Sequence, residues 1–445
     1  FRTVRRNPLR GHGRRHNRGG GHPVFFTRTV LSRTASPLSE LLAAGDSASV
    51  YKSGPATLAY LAAAALARGQ SAVVVAPGVH ELSRIAALLD MLAPPSPGTL
   101  WGASYAMLPS YAPGRPSGAF WARRMAFLAF AAMGRGPRVL LVTADNLLPK
   151  WPPPRALEGN ILNVAVGEEL PRDLIAEQAV LWGYKRSPMV ASPGEFALRG
   201  DILDIFPPGY ESPLRLEFFG DVLEAVRRFD AGSQRSLAEL DAASLIPAAP
   251  AVLSETFMDE ARNLWETIAG TGELHRAAKQ RLENALQVRD GGIWPGLFYE
   301  KPVELSAWFP EGAAYLVCDP TKVKERLEEA EHAWRRFFEA ETKELGHPWP
   351  NSRVLWPENM ARKSLVAGRR ILFEDLVMGR GRHGPDLPEK ALERFGDLFW
   401  KPGSDKRPWT TLVAALKEWN GHGQTILSFH RSEERRVGKE CRSRW

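Results

Sequence analysis

One short segment of the chain has residue types that could bind a nucleotide phosphate, at Lys52-Ser53-Gly54-Pro55-Ala56-Thr57. A phosphate-binding loop follows G-x-x-x-x-G-K-[ST], because glycine amides surround the phosphates, the lysine contacts the β- and γ-phosphates, and the hydroxyl binds Mg²⁺. Gly54 and Thr57 fit two of these roles, but no lysine follows Gly54. Pro55 has no N–H group to donate. The segment therefore predicts a degenerate nucleotide site.

Nucleotide hydrolysis also needs two acids at the end of a strand, one for Mg²⁺ and one to orient the attacking water. Asp319 follows the apolar run 314–318, but Pro320 occupies the place of the second acid. Together, the two departures indicate that hydrolysis has been lost. We expect this chain to have no enzymatic activity, no catalytic residue and no cofactor of its own.

The remaining polar residues form no convincing catalytic or metal-binding pattern. Cys318 and Cys441 are too few for a zinc site or a disulfide framework, which favours a reducing cytoplasm. Asp201 and Asp204 are three residues apart, so they would point to opposite faces of a strand. Turn or capping roles are therefore expected for both aspartates.

A recognition surface is predicted within the stretch 194–230, where short alternating runs place two arginines and a phenylalanine outward. Leu216 and its neighbours two residues away would face the core, whereas Arg215 and Phe219 would face outward; the same alternation turns Arg199 outward. An exposed phenylalanine beside arginine is typical of a protein-binding hot spot. The alternative is that Phe219 covers a sheet edge and both arginines are solvated.

A β-meander would position these side chains, and turn signals at 207–209 and 220–221 separate its strands. Upstream, the pattern predicts a strand at 161–166 and a helix near 168–182 that is closed by Gly183. These elements together predict a small α+β unit.

The flanking segments alternate between strands and helices, which predicts an α/β fold with a parallel sheet covered by helices. The strands expected are 49–51, 72–76, 139–143 and 314–319, and the helices expected include one ending at 68–69, then 79–92, a largely helical stretch 257–286, and 322–340. The strand at 314–319 would rejoin the first sheet, so the small α+β unit would be an insertion in it.

The composition is that of an ordinary globular protein, with 44% hydrophobic and 24% charged residues in a chain of 445. This length allows two or three domains. The net charge of +8 comes from the ends, because 1–36 contribute +9 and 431–445 contribute +3, which leaves about −4 for 37–430. The body of the chain is therefore not expected to bind nucleic acid through its charge.

Both ends differ in character from the rest. Residues 1–36 are rich in Gly and Arg, which predicts a disordered basic tail, and 431–445 resemble translated vector sequence. Residues 409–430 look like the opening of a further, truncated α/β domain. No apolar run is long enough for a membrane span, since Arg123 and Arg124 interrupt the most apolar segment.

The run GEFALRGDILDIFPPGYESPLRLEFFGD, residues 194–221, resembles the second domain of bacterial transcription-repair coupling factors and, more distantly, the matching domain of UvrB. The similarity continues through 234–237 and 245–248, and more weakly from about 37 to 429. This resemblance implies that the domain binds UvrA, the damage-recognition ATPase of nucleotide excision repair. The family's contact residues correspond to Arg199, Arg215 and Phe219.

The resemblance also implies a domain arrangement around a degenerate P-loop, helicase-like parallel sheet. The expected segments are 37–154 and 250–375 for the two parts of this first domain, 155–249 for the inserted UvrA-binding domain, 376–408 for a linker, and 409–430 for the truncated third domain. Gly54, Thr57 and Asp319 would be the remnants of the nucleotide site.

The function implied is that of the amino-terminal part of a coupling factor, a cytoplasmic scaffold that recruits UvrA. The complete protein would be an ATP- and Mg-dependent DNA translocase that also binds RNA polymerase and double-stranded DNA, and its motor is expected beyond this chain. Two alternatives are a UvrB-type ATP-binding DNA clamp and a nucleic-acid-binding module that depends on the basic tails.

Overall fold

The computed structural model describes residues 42, 47–51, 53–93, 103–114, 118–134, 136–287, 294–364 and 370–374. The predicted basic tail, linker, truncated third domain and terminal tail all lie outside these residues, as does Lys52.

The strands in the described residues are β1 (Ala48–Tyr51), β2 (Ala72–Ala76), β3 (Tyr105–Met107), β4 (Val139–Thr143), β5 (Leu162–Ala165), β6 (Lys185–Arg186), β7 (Glu195–Arg199), β8 (Ile202–Ile205), β9 (Leu214–Phe219), β10 (Val222–Phe229), β11 (Ser236–Leu240), β12 (Ala242–Leu245), β13 (Ala314–Cys318) and β14 (Arg370–Glu374). Several of these strands coincide with apolar runs of the sequence, whereas β6 and β11 do not.

Helices connect and cover these strands. They are α1 (Pro55–Ala67), α2 (Val79–Leu92), α3 (Gly118–Met133), α4 (Arg172–Leu181), α5 (Glu255–Gly270), α6 (Arg276–Gln287), α7 (Pro320–Leu345), α8 (Asn351–Val354) and α9 (Glu358–Ser364).

The first sheet is parallel and has the order β1-β14-β13-β2-β4-β3 within the described residues. Its central strands β2 and β4 are buried on both faces. Val74 of β2 packs in the core formed with α1 and α2, whereas Val73 and Val75 pack in the core that includes α3, α5 and α7. The predicted α/β architecture is confirmed at this level, and β13 rejoins the first sheet as expected.

The second sheet has the order β11-β10-β9-β8-β7-β6 and is antiparallel except for the pairing of β6 with β7. The chain enters it after β4 and returns to the first sheet at β13. Helix α4 covers one face, where Ile175 and Ala179 share a core with Phe196, Leu216 and Phe218. The candidate site lies on the opposite face, away from α4. A separate antiparallel pair is formed by β5 and β12.

Gly183 fixes the end of α4, as the sequence predicts. Its φ of +80° is left-handed, and a Cβ atom there would lie 2.4 Å from the Cβ of Ala249. The backbone amides of Ala248 and Ala249 both donate to the carbonyl of Trp182. Only glycine allows this close approach, so the position joins α4 to the segment that leads back to the first sheet.

Some boundaries differ from the predictions. The helix expected from 168 begins at Arg172, because residues 167–170 form backbone hydrogen bonds with the start of β10 and Pro171 then precedes the first turn. The helical stretch 257–286 is two helices, α5 and α6, which are separated by a turn at Thr271 and Gly272. Strands β3, β6, β11, β12 and β14 are additional to the strands predicted.

A candidate partner-binding surface

The strand register places Arg199, Arg215 and Phe219 on one face of the second sheet, away from α4. Arg199 is opposite Ile202, and Ile202 is opposite Glu217, so Arg199 and Glu217 share a face. Arg215 and Phe219 lie two residues on either side of Glu217 along β9 and therefore point the same way. The predicted alternation of faces is confirmed. We call this the outward face.

Phe219 is the most exposed large apolar side chain among the described residues, at 76% of its full accessibility. It ends β9, directly before the two-residue turn Gly220-Asp221, in which Gly220 has a left-handed φ of +59°. Its partner across the hairpin, Val222, is 39% exposed. An aromatic ring and a branched side chain thus stand together at the tip of a hairpin.

Arg215 is held in a buried ion pair with Asp204, directly opposite on β8. The guanidinium Nε donates to one carboxylate oxygen at 2.7 Å and Nη2 donates to the other at 2.9 Å. The side chains of Arg215 and Asp204 are only 20% and 3% exposed. Hydrogen bonding to Asp204 raises the pKa of Arg215.

This pair corrects the prediction for Asp204 and rules out the alternative reading of Arg215. Asp204 has no turn or capping role, although Asp201 does lie in a turn. Arg215 is not a solvated arginine, because its guanidinium is also stacked 4.7 Å from the ring centre of Phe229. Its planar, bidentate geometry suits a fixed structural position.

Arg199 differs from Arg215 because it is exposed, and its guanidinium donates a hydrogen bond to the carbonyl oxygen of Pro188. Between the two arginines, Glu217 forms an ion pair with Arg227, which also pairs with Glu239 at 3.1 Å. The outward face therefore carries a cross-strand network of charges. Such pairs on neighbouring strands stabilise a sheet modestly.

The proposed nucleotide remnants lie at one edge of the first sheet. Because β1, β14 and β13 are parallel, the segments that follow β1 and β13 meet at the same edge. Gly54 precedes α1, whose first residue is Pro55, and Thr57 is buried in its first turn. Asp319 precedes α7, where its carboxylate accepts from the Lys322 amide at 3.1 Å and pairs with the Lys322 ammonium at 2.6 Å.

Arg124 interrupts an apolar segment of the sequence, and the structure buries it completely. Its guanidinium lies 4.3 Å from the ring centre of Tyr111 and 4.1 Å from that of Trp151. It donates to the Pro109 carbonyl and to the Asn146 side chain, each at 2.9 Å. Burial lowers the pKa of Arg124 to about 9. The aromatic residues around it were the available signal, and they indicate a packing role.

One cavity among the described residues has a volume of about 990 Å³ and lies between α4 and α5. Its lining includes Arg155, Gln178, Glu260 and Tyr299, but none of the predicted site residues. The candidate surface is instead an exposed sheet face, which is the form expected of a protein–protein contact rather than of a small-molecule site.

Two further observations concern the described part of the chain. It has no group of three or more His, Cys, Asp or Glu side chains arranged to hold a metal ion. None of its helices combines the length and the apolar character that crossing a bilayer requires.

Comparison with known proteins agrees with the architecture of the second sheet. Residues 162–250 match the family model of the UvrB interaction domain, which covers β5 to β12 and so includes the outward face. The matched segment also contains Arg199, Arg215 and Phe219, although the match does not assign them a role.

The similar proteins are transcription-repair-coupling factors. The chain is 31% identical over 396 residues to the one from Mycobacterium bovis, which covers 84% of this chain and 30% of that protein. It is 34% identical over 202 residues to the one from Myxococcus xanthus, 42% of this chain and 17% of that protein. With that from Escherichia coli it shares 34% over 185 residues, 40% of this chain and 15% of that protein.

The chain thus spans less than a third of the length of each of these relatives. The similarity with the Mycobacterium bovis protein runs through most of this chain, well beyond the interaction domain. The chain is therefore similar to the transcription-repair-coupling factors over most of its length, and its residues 162–250 match the UvrB interaction domain.

Proposed function

We propose that this chain is the UvrA-recruiting part of a transcription-repair coupling factor and acts in transcription-coupled nucleotide excision repair. The observation that carries the proposal is the exposed hairpin of Phe219 on the outward face of a UvrB interaction domain. A large aromatic ring that is three-quarters exposed in the isolated chain contributes more favourable binding free energy than a smaller side chain when a partner covers it. Aromatic side chains supply this energy at little cost in conformational entropy.

The three predicted contact residues have different parts in this proposal. Phe219 is the apolar anchor, and Arg199 supplies an exposed guanidinium that can bind a carboxylate of UvrA after exchanging its contact with Pro188. Arg215 is already satisfied by Asp204, so only the exposed edge of its guanidinium remains for the partner. We therefore propose that Phe219 and Arg199 carry most of the specific binding energy.

We further propose that the first sheet is a non-hydrolysing scaffold. Several features support this: no lysine follows Gly54, Pro55 cannot donate an amide hydrogen bond, and the Asp319 carboxylate already forms an ion pair with Lys322. The residues present at this edge do not fit a Mg-nucleotide complex. A UvrB-type ATP-dependent clamp would need such a complex. In the proposal, ATP, Mg²⁺, RNA polymerase and double-stranded DNA belong to the complete coupling factor.

The proposal is tested by titrating labelled UvrA with the wild-type chain and with Phe219→Ala and Arg199→Ala. Removing a central anchor typically costs about 2 kcal/mol, which is roughly a thirtyfold rise in Kd. Val79→Ala is the matched control, since Val79 is 45% exposed but lies on α2 against the first sheet. A wild-type chain that does not bind UvrA, or anchor variants that bind as well as the control, would refute the proposal.

A further inference from the structure

Another cavity lies beside α7 and α9, and none of its lining residues belongs to the second sheet. Its volume is about 510 Å³. Phe338, Trp356 and Met360 give it apolar surface, and Lys150 and Arg335 are among its charged residues. A cavity that combines apolar surface with a few charged groups is typical of a binding site. We call it the Lys150 pocket.

The backbone holds Lys150 and Trp356 in fixed positions in this pocket. The Lys150 amide donates to the Val354 carbonyl at 2.9 Å, and the Trp356 amide donates to the Leu148 carbonyl at 2.8 Å. These hydrogen bonds join the two segments as an antiparallel pair. The Lys150 ammonium lies 4.3 Å from the ring centre of Trp356. The cation and the ring are therefore positioned before any ligand binds, which lowers the cost of binding.

The Lys150 ammonium has no carboxylate partner among the described residues, although its side chain is half-buried. Burial lowers the pKa of Lys150, repulsion by Arg353 lowers it further, and Glu273 attracts the ammonium only from beyond ion-pair distance. A cation that loses part of its hydration is usually paired with an acid, and an aromatic ring replaces only part of that hydration. An anionic ligand group would complete the environment of Lys150.

The other charged residues of the lining leave the pocket with a net positive charge. Arg335 and Glu331 are 4.0 Å apart, at the outer limit of an ion pair. Together with Lys150 they make two cations and one carboxylate. The apolar surface of Phe338 and Met360 lies in the same pocket. A complementary ligand therefore carries one negative charge next to an apolar group.

We infer that the Lys150 pocket binds a peptide segment of a partner protein in which a carboxylate side chain adjoins an aromatic or aliphatic one. The carboxylate pairs with Lys150, and the apolar neighbour covers Phe338 and Met360. Asn351 and Ser352 are exposed lining residues whose amide and hydroxyl groups can bind the peptide backbone, which a small carboxylic acid lacks. This contact is separate from the outward face and goes beyond the recruitment of UvrA.

The test measures the affinity of capped pentapeptides for the whole chain by saturation-transfer NMR. The first probe is Gly-Phe-Asp-Phe-Gly, the second has Asn in place of Asp, and the third has Ala in place of both Phe residues. The first should bind about tenfold more tightly than the second, because a charged hydrogen bond to Lys150 is lost with the carboxylate. The third should also bind more weakly than the first, since it covers less apolar surface.

Variants assign the preference for Asp over Asn to the pocket. Lys150→Gln should abolish the preference, whereas Lys150→Arg should retain it because the positive charge remains. Lys324→Gln is the matched control, since Lys324 is an exposed lysine of α7 that does not line the pocket. It should behave like the wild-type chain. Melting temperatures show that each variant is folded.

Several results would overturn the inference. The wild-type chain could show no saturation transfer to millimolar peptide, or could bind the Asp and Asn peptides equally. Lys150→Gln could keep the same preference as Lys324→Gln. Phenylbutyrate could bind as tightly as the Asp peptide, which would assign the pocket to a small carboxylic acid. None of these measurements involves UvrA, so their failure would leave the proposed function unchanged.

Discussion

Replacing Arg215 with alanine tests whether the second sheet depends on the buried ion pair of its outward face. The change removes two hydrogen bonds of 2.7 and 2.9 Å to Asp204 and the stacking contact with Phe229. It leaves the Asp204 carboxylate, whose side chain is 3% exposed, without its cation. We therefore expect a loss of stability that does not depend on any partner protein.

The size of the loss follows from the burial of the two side chains. Removing one partner of a fully buried ion pair costs about 3–5 kcal/mol, because the remaining charge is buried and uncompensated. Arg215 is one-fifth exposed, so water can reach Asp204 in the variant and moderate the cost. We expect about 2–3 kcal/mol for Arg215→Ala. Removing both groups should cost less, because no charge then remains buried.

Hydrogen exchange at the amides of β8 and β9 measures this free energy locally and does not require the whole chain to unfold in one step. The double-mutant cycle of Arg215→Ala and Asp204→Ala then isolates the coupling between the side chains. Phe219→Ala is the matched control on the same strand. With 76% of its side chain exposed, its loss should change the exchange free energies by less than about 0.5 kcal/mol.

Two results would refute this expectation. The β8 and β9 amides of Arg215→Ala could exchange at the wild-type rate, or the coupling energy between Arg215 and Asp204 could be within error of zero. Either result would mean that the arginine is solvated, as one reading of the sequence allows. If the loss of stability is confirmed, weak UvrA binding by Arg215→Ala would partly reflect disruption of the second sheet. Arg199→Ala, which leaves no buried charge behind, is then the better probe of the contact.

Three further predictions concern other parts of the chain. Burial raises the pKa of Tyr184 and Tyr299 in the folded chain. The free energy of unfolding should therefore be unaffected by these tyrosines below pH 10. Above pH 10 the unfolded chain ionises first, so the free energy of unfolding should fall by up to about 1.4 kcal/mol per pH unit for each tyrosine. Urea titrations at pH 8, 10 and 11 measure this, and stability that does not fall above pH 10 would contradict it. Millimolar Mg-ATP should leave the melting temperature unchanged; a bound ligand at a hundred times its Kd would add about 2.7 kcal/mol, so any reproducible rise would count against the degenerate site. Limited proteolysis should spare the two junctions of the proposed domain 155–249, because residues 151–153 and 248–250 are buried, and early cuts there would show that the junctions open readily in solution.

Local patterns were sufficient to predict much of the fold. The run 72–76 is apolar throughout and lies between Ser71 and Pro77, and β2 occupies the same positions. The alternation in β9 likewise gives the correct face for Phe219, because side chains on a strand must alternate. Strand β14 was missed since its five residues pair with β1 and β13, which are distant in sequence, and no local signal specifies such pairing.

The sequence predicted which face of the sheet carries Arg215 and Phe219, but not which side chains contact them. Alternation shows that Arg215 points outward, yet whether Asp204 lies opposite depends on the register set by the long connection 206–213.

Hydrogen exchange of the wild-type chain with and without saturating UvrA shows whether UvrA docks on the Phe219 hairpin. UvrA is expected to slow exchange at the tip amides of residues 219–222 and of the adjacent turn 200–201. Amides at the first-sheet edge, around 53–57 and 319–322, should exchange at the same rate in both samples. Protection at that edge, with unchanged exchange at both hairpin tips, would contradict the account.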